Sequence, residues 1–285
     1  MPPEPLLSRE TDWAIWENVL ATLTPAAGPA REAQANRAIP FQMVPGSGVA
    51  VVSIQGVMEK RGSAFGSLFG ESSMLAVKAG LNAAVDDELV KSILLRIDSP
   101  GGSVSGTTEL ADHVAETARR KRTVTFVDGL AASAAFWAGA QASEIWASRD
   151  SLVGSIGVFG VMFDTSEMAK KEGVKPIVMT TGKFKAVGVP GTKITDEQIA
   201  EWQKRIDFSF AEFKAAVGRG RGMSAEAVDA VADGRVFHPP EALANKLIDR
   251  VMSFEDAVAL MVDDERVAQR GRNARAQAST HRRKI

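Results

Sequence analysis

The chain has 285 residues, and its 34 Lys or Arg against 35 Asp or Glu leave a formal net charge of −1, so it carries no global field that would draw it to nucleic acid or to a membrane surface. It contains no cysteine, which excludes thiol nucleophiles, disulfides, iron–sulfur clusters and thiolate zinc sites together. No apolar run approaches the ~18 residues of a membrane span, and Met1 to Glu10 lacks a basic segment followed by an apolar core, so the sequence reads as soluble and not exported.

Residues 11–23 (TDWAIWENVLATL) place Trp13, Trp16, Val19, Leu20 and Leu23 at helical spacing after a Thr11 or Asp12 cap, which predicts a short amphipathic helix. Its apolar face needs a cover, from its own domain or from a neighbouring subunit. Residues 24–40 are rich in Pro, Ala and Gly without apolar periodicity and read as a linker. The organisation expected is an N-terminal helix and linker over 1–45, one main domain over 46–263, and a tail over 264–285.

Within the main domain, β-branched runs alternate with helical patterns. VAVVSIQGV (49–57), ILLRI (93–97), TVTFV (123–127) and EIWAS (144–148) read as strands, with helices near 74–86, 104–120 and 132–142. Strands separated by helices predict an α/β fold with a parallel sheet, and the near-continuous apolar runs fit a sheet covered on both faces. A helix over 166–173 and a strand PIVMTT (176–181) follow. Thr195 and Gln198 have capping-box spacing, and Ile199, Trp202, Ile206, Phe210, Phe213 and Val217 form one apolar stripe, predicting a long helix that ends at GRGRG (218–222). Helices near 225–232 and 240–246 and a last strand LIDRV (247–251) complete the domain. The tail from Arg266 carries seven Lys or Arg and no acidic residue and is expected to be disordered. Such a tail either touches nucleic acid or an acidic partner, or is simply solvated.

Asp98-Ser99-Pro100-Gly101-Gly102 follows the strand ILLRI and precedes a helix, at the carboxyl end where open α/β sheets put their sites. Glycines there let the backbone approach a substrate and turn N–H groups outward, as an oxyanion hole requires, although any tight turn also favours them. Ser133 occupies a second strand-to-helix turn among small residues, Ala131, Ala132, Ala134 and Ala135. A serine at that place serves equally as a nucleophile near a helix N-terminus and as an N-cap or packing residue. A nucleophilic serine needs a base. His113 falls mid-helix among polar residues, His238 precedes two prolines, and His281 lies in the tail, so no histidine is well placed, though none is excluded. A lysine serves if burial or a nearby positive charge keeps it neutral. Lys183 and Lys185, in TTGKFKAVG, follow an apolar run, although most lysines are simply exposed surface residues.

Three segments, DSPGGSVS, GLAASAAFWAG followed by VGSIGVFG, and TTGKFKAVG, together resemble the signal peptide peptidase A (protease IV) family of serine–lysine peptidases, and the likeness runs from about Val49 to Val251 through GRGRGM and ADGRVF. The resemblance implies a Clp protease/crotonase-like fold, Ser133 as nucleophile, and Lys185, 52 positions later (185 − 133), as general base, with Lys183 as fallback. It implies further that Ser155 helps orient the amine, that Gly101 and Gly102 form the oxyanion loop with the N–H of Ala134 as second donor, and that no metal or organic cofactor takes part. Neither His-Glu-x-x-His nor a carboxylate cluster at metal-ligand spacing is present.

This chain has Ser133-Ala134-Ala135-Phe136 where the family commonly has Ser-Gly-Gly-Tyr, and it lacks the membrane anchor of the bacterial enzymes. With Trp13-Ala14-Ile15, both departures resemble the bacteriophage branch, which implies a polypeptide substrate such as scaffold or capsid protein, in host cytoplasm or prohead, and ring assemblies in which a neighbouring subunit supplies the lysine. A soluble bacterial peptidase, a crotonase-type acyl-CoA hydratase or isomerase, and an inactive assembly protein are the alternatives that the sequence leaves standing.

Overall fold

The computed structural model describes residues 13–15, 41–62 and 70–282. The described chain begins with β1 (Trp13–Ile15), β2 (Gln42–Met43), β3 (Val49–Gln55), β4 (Met58–Glu59) and β5 (Ser72–Ser73), then α1 (Met74–Asp86), β6 (Ser92–Ser99), β7 (Gly101–Ser103) and α2 (Thr107–Arg120). It continues through β8 (Arg122–Ala132), α3 (Ala134–Gly139), β9 (Glu144–Ala147), β10 (Leu152–Gly154), α4 (Ser166–Lys171) and α5 (Asp196–Arg221). Last come α6 (Ala225–Asp229), β11 (Val236–Phe237), α7 (Pro239–Ala244), β12 (Arg250–Val251) and α8 (Phe254–Arg282).

The main sheet has the order β11-β10-β8-β6-β3-β2, with β9 also on β8 and β12 on β9. The pairs β3–β6, β6–β8, β8–β9, β8–β10 and β9–β12 are parallel, while β2 and β11 pair antiparallel at the edges. This is the expected parallel α/β core. Period-two alternation sorts its apolar side chains onto two faces. Val52, Ile54, Ile93, Leu95, Ile97 and Val127 face a core shared with α1, α2 and α3. Val49, Leu94, Val124, Phe126 and Trp146 face a second cluster closed by Ala257 and Met261 of α8. Arg96, whose guanidinium lies 4.5 Å over the Phe254 ring, and Arg122, 2.8 Å from Asp264, pin α8 to that face.

A smaller sheet runs β1-β7-β4-β5. Here β4 is parallel to both β5 and β7, and β1 is antiparallel to β7.

Three expectations are corrected. Trp13–Ile15 is a strand, not part of a helix, because β7 offers a free backbone edge that three extended residues can pair with. The rest of the segment 11–23 and the linker 24–40 lie outside the described residues. PIVMTT forms no strand: Ile177 is 82% and Met179 92% exposed, and β-branched residues without a neighbouring strand have no ladder to join. The tail from Arg266, expected to be disordered, continues α8 to Arg282. That helix is nucleated where Ala257 and Met261 are packed, and Ala, Arg and Gln propagate it cheaply.

The long helix forms as expected, from Asp196 to Arg221. α5 opens on the expected capping box at Thr195 and Gln198, but only its C-terminal half is buried, through Ser209, Phe213, Ala216 and Val217. Phe213 stacks on Trp137 of α3 with ring centroids 4.6 Å apart. Its first turns stand out from the core, with Ile199 and Phe208 exposed. No helix among the described residues is long and apolar enough to cross a membrane.

Candidate active site

The carboxyl ends of β6, β8 and β10 converge. Ser99 pairs with Ala131, and Leu152, Val153 and Gly154 pair in turn with Leu130, Ala131 and Ala132. This register makes Ser133 and Ser155 the next residues along adjacent parallel strands. Their backbones are tied directly, for the Ser133 N–H donates to the Gly154 carbonyl at 2.8 Å.

Ser133 links β8 to α3 with φ 54 and ψ −123, a conformation that a side-chain-bearing residue rarely adopts. Such strain costs of order 1–3 kcal/mol and persists where packing over-determines it. The packing here is dense: Ser133 is 1% exposed, and α3 buries Ala134, Ala135, Phe136, Trp137, Ala138 and Gly139. Small side chains at four of those six positions let the helix lie close to the sheet. A sharp strand-to-helix turn of this kind presents a side-chain oxygen at the tip of a sheet. The Ser133 hydroxyl donates to the Gly157 carbonyl at a long 3.4 Å and makes no side-chain cap bond to α3, so the N-cap role weighed from the sequence is not the one adopted.

Ser155 is also strained, with φ 50, and is 3% exposed. Its N–H donates to the Arg235 carbonyl at 2.7 Å, and β11 lies antiparallel on β10. ADGRVF thus has a structural task that sequence reading left open: its turn closes on Ser155. Gly154 must be glycine for two reasons, φ 125 and an Arg235 carbonyl only 3.0 Å from where a Cβ would stand.

Gly101 and Gly102 lie in β7, buried and packed against α3, so the two turns singled out from sequence do meet. Ser99, fully buried, fixes the approach. Its hydroxyl donates to the Gly56 carbonyl at 2.6 Å and accepts from the Gly101 N–H at 3.1 Å. Met58 of β4 pairs with Gly102 so closely that a Cβ there would come within 1.8 Å of the Met58 carbonyl oxygen. The N–H of Ala134, first residue of α3, has no acceptor inside its own helix.

Asp98 was passed over in the sequence, where it is merely the residue before Ser99. It lies at a register shift between β6 and β8 and stands against Gly129, where a Cβ would come 2.9 Å from its Oδ1. Partial burial pushes its carboxyl above the usual carboxylate value; the Leu130 N–H it accepts opposes this, Asp128 adds to it and Arg96 opposes it. Arg96 and Asp128 form an ion pair beside it.

Lys185 lies elsewhere in the chain. It sits in a turn over 183–188, its N–H bonded to the Gly182 carbonyl at 3.0 Å, and its side chain is exposed. It borders a shallow apolar depression with Val178, Met179, Thr180, Thr181, Ala186 and Val189. Among the described residues its amine has no hydrogen bond or ion pair, so none joins it to Ser133 within one chain. Lys183 is committed differently: it pairs with Glu197 and lies 4.9 Å over the Phe184 ring. The Lys183 carbonyl accepts from Gln198 Nε2 at 3.4 Å, which fastens this turn to the start of α5. Of the histidines, His113 packs away from the site against Lys78, and burial followed by Lys78 pulls its imidazole below the ordinary value. His238 is the N-cap residue of α7.

Residues 115–268 match the family model described as Peptidase family S49, and residues 57–146 match that of Clp protease. A protein of Methanocaldococcus jannaschii named as a protease is 36% identical over 172 residues, 60% of this chain and 55% of that protein. Protease 4 of Salmonella typhi is 31% identical over 216 residues, covering 75% of this chain and 34% of the relative. Capsid assembly protease C of Escherichia phage lambda is 27% identical over 217 residues, covering 76% of this chain and 49% of the relative. The chain therefore spans about half the length of the first and third and about a third of the second.

Proposed function

Since this chain belongs to peptidase family S49, we propose that it is a serine endopeptidase whose nucleophile is Ser133 and whose general base is Lys185 of a neighbouring copy. The observation that carries the reading is a division of parts. Ser133 is strained and buried, the helix that follows it packs on the strand of Gly101 and Gly102, and among the described residues no basic side chain hydrogen-bonds to it, while Lys185 lies unpaired beside an exposed apolar depression. Along the chain that leads to it, Val161, Phe163, Met168, Val174, Ile177 and Met179 are all more than half exposed, and exposed apolar side chains of this kind favour a partner surface. A second copy covers them, and each copy supplies the lysine for another's serine.

Chemistry follows from that arrangement. Covering by the second copy strips water from Lys185, which favours its neutral amine. That amine takes the proton of the Ser133 hydroxyl as Oγ attacks the substrate carbonyl carbon. The N–H groups of Gly102 and Ala134 hold the resulting oxyanion. Lys185 then returns the proton to the leaving amine, and water, activated the same way, releases the acyl group from Ser133. Ser155, tied to the Ser133 backbone through Gly154, orients the amine. The substrate is a polypeptide, and the likeness to Capsid assembly protease C favours scaffold or capsid proteins as that substrate.

The test is covalent. A peptidyl electrophile should modify Ser133, detected by mass mapping, and the Ser133→Ala chain should leave both the probe and candidate head proteins intact. Identical fragments from wild type and Ser133→Ala would sink the assignment, and labelling of Ser133 would exclude a crotonase-type reaction, which uses glutamates.

A further inference from the structure

β7, which carries Gly101 and Gly102, has two edges like any strand. One is taken by β4, where Met58 pairs with Gly102. The other is taken by β1, with Trp13 opposite Ser103, Ala14 opposite Gly102 and Ile15 opposite Gly101. β4 is central to its sheet, between β7 and β5, and cannot leave without dismantling it. β1 is different. It is the outermost strand, only three residues long, and 25 residues (16–40) separate it from Phe41. A three-residue ladder at a sheet edge is marginal in itself.

A polypeptide that presents its backbone to Gly101 and Gly102 in extended form has one way to do so, by adding as a strand to the open edge of β7. That is the edge which the chain's own residues 13–15 occupy. We propose that the Trp13–Ile15 strand is an intramolecular occupant of the substrate-strand position, so that the N-terminal segment competes with polypeptide substrates and must leave before one can lie on β7. The proposal rests on the peptidase reading for the word substrate, but its physical content is the exchange of one strand for another at β7. Main-chain hydrogen bonds supply most of the attraction in such an exchange, and they are indifferent to sequence, which is why a segment of the same chain can stand in for a substrate.

The test uses the full-length chain carrying Ala14→Pro and Ile15→Pro together. Residues in an antiparallel pair alternate in which of them donate to the partner, so prolines at two successive positions remove a ladder donor whichever register of bonds holds. With a fluorogenic peptide substrate, the double variant should show a lower KM and an unchanged kcat. If the strand is docked nine-tenths of the time, the KM falls about tenfold. A synthetic peptide of residues 10–20 should inhibit the variant competitively. The second measurement needs no catalysis. The same peptide, fluorescently labelled, should bind the proline variant carrying Ser133→Ala about tenfold tighter than the Ser133→Ala chain with its native N-terminal segment, by anisotropy. Tighter binding without cleavage by any chain would remove the peptidase reading and keep the strand exchange. Cleavage with equal KM and equal peptide binding would overturn the exchange and keep the peptidase. A difference in peptide binding between the two Ser133→Ala chains that vanishes on dilution would overturn the intramolecular claim by assigning the strand to a second copy.

Discussion

The tightest backbone contact in the site makes Gly102→Ala the sharpest perturbation. A Cβ at Gly102 would stand 1.8 Å from the Met58 carbonyl oxygen, 2.5 Å from its carbon and 2.6 Å from its nitrogen. Ordinary contact begins at 3.4 Å, so β7 and β4 would have to part by about 1.6 Å (3.4 − 1.8). Nothing flexible can yield, since all three atoms are backbone and Met58 is fully buried. Overpacking of this kind destabilises by about 1–3 kcal/mol. The catalytic consequence is larger. A displacement of about 1 Å in a positioned group can cost 10²-fold, and loss of one oxyanion donor costs about 10²–10³ in kcat. Steady-state kinetics on a fluorogenic peptide should therefore show kcat down by about 10²-fold or more, beside a cooperative unfolding transition that loses only a few kcal/mol. Gly222→Ala is the control. Gly222 ends α5 with φ 60 and nothing near its missing Cβ, so that change costs about 1 kcal/mol of stability and leaves kcat alone. A Gly102→Ala chain that folds and keeps kcat within about threefold of wild type would refute the claim that β7 holds the oxyanion.

Mixing Ser133→Ala with Lys185→Ala tests the shared site. Each is silent alone, yet in randomly mixed assemblies about a quarter of the Ser133–Lys185 pairings are intact (½ × ½), so activity should return towards that level; silence at every mixing ratio would place both groups in one chain or neither in the reaction. His113 gives a pH signature. Its folded imidazole lies below the ordinary value, so the unfolded chain takes up the proton first, and stability should fall as pH drops through the ordinary imidazole range. Thermal unfolding from pH 8 to 5 measures this, and His113→Gln should flatten the curve; an unchanged slope would mean that another group carries the linkage.

How much of this was readable from the sequence divides along local and non-local lines. The strands β3, β6, β8 and β9 were legible because they are β-branched runs bounded by turns, and the capping box of α5 because its two residues lie three apart. The turns at Gly101 and Ser133 were legible as turns. Their meeting was not, since it depends on the pairing of β6 with β8 and on α3 lying across β7. The adjacency of Ser133 and Ser155 rests on the three-residue strand β10, too short to carry a pattern. PIVMTT misled because β propensity describes a fit to a neighbouring strand, and among the described residues it has none. Trp13–Ile15 misled in the opposite sense: helical spacing was outweighed by an available edge. Ser99 and Asp98 gave no sign beyond their place before Pro100, because their work is done through hydrogen bonds to residues far along the chain.

α5 is a rigid beam held at one end. Its grip on the core is the Phe213–Trp137 stack with Ala216 and Val217, and Trp137 belongs to the same short helix that follows Ser133. At its far end Glu197 and Gln198 hold the turn that carries Lys185. From Phe213 back to Thr195 is 18 residues, about 27 Å at 1.5 Å per residue. A tilt of about 5° at this fulcrum therefore swings the tip by about 2.4 Å, close to the length of a hydrogen bond. The position of the Lys185 turn is thus set by two aromatic rings lodged behind Ser133, and on the shared-site proposal a slight repacking there would be magnified at the far tip of α5.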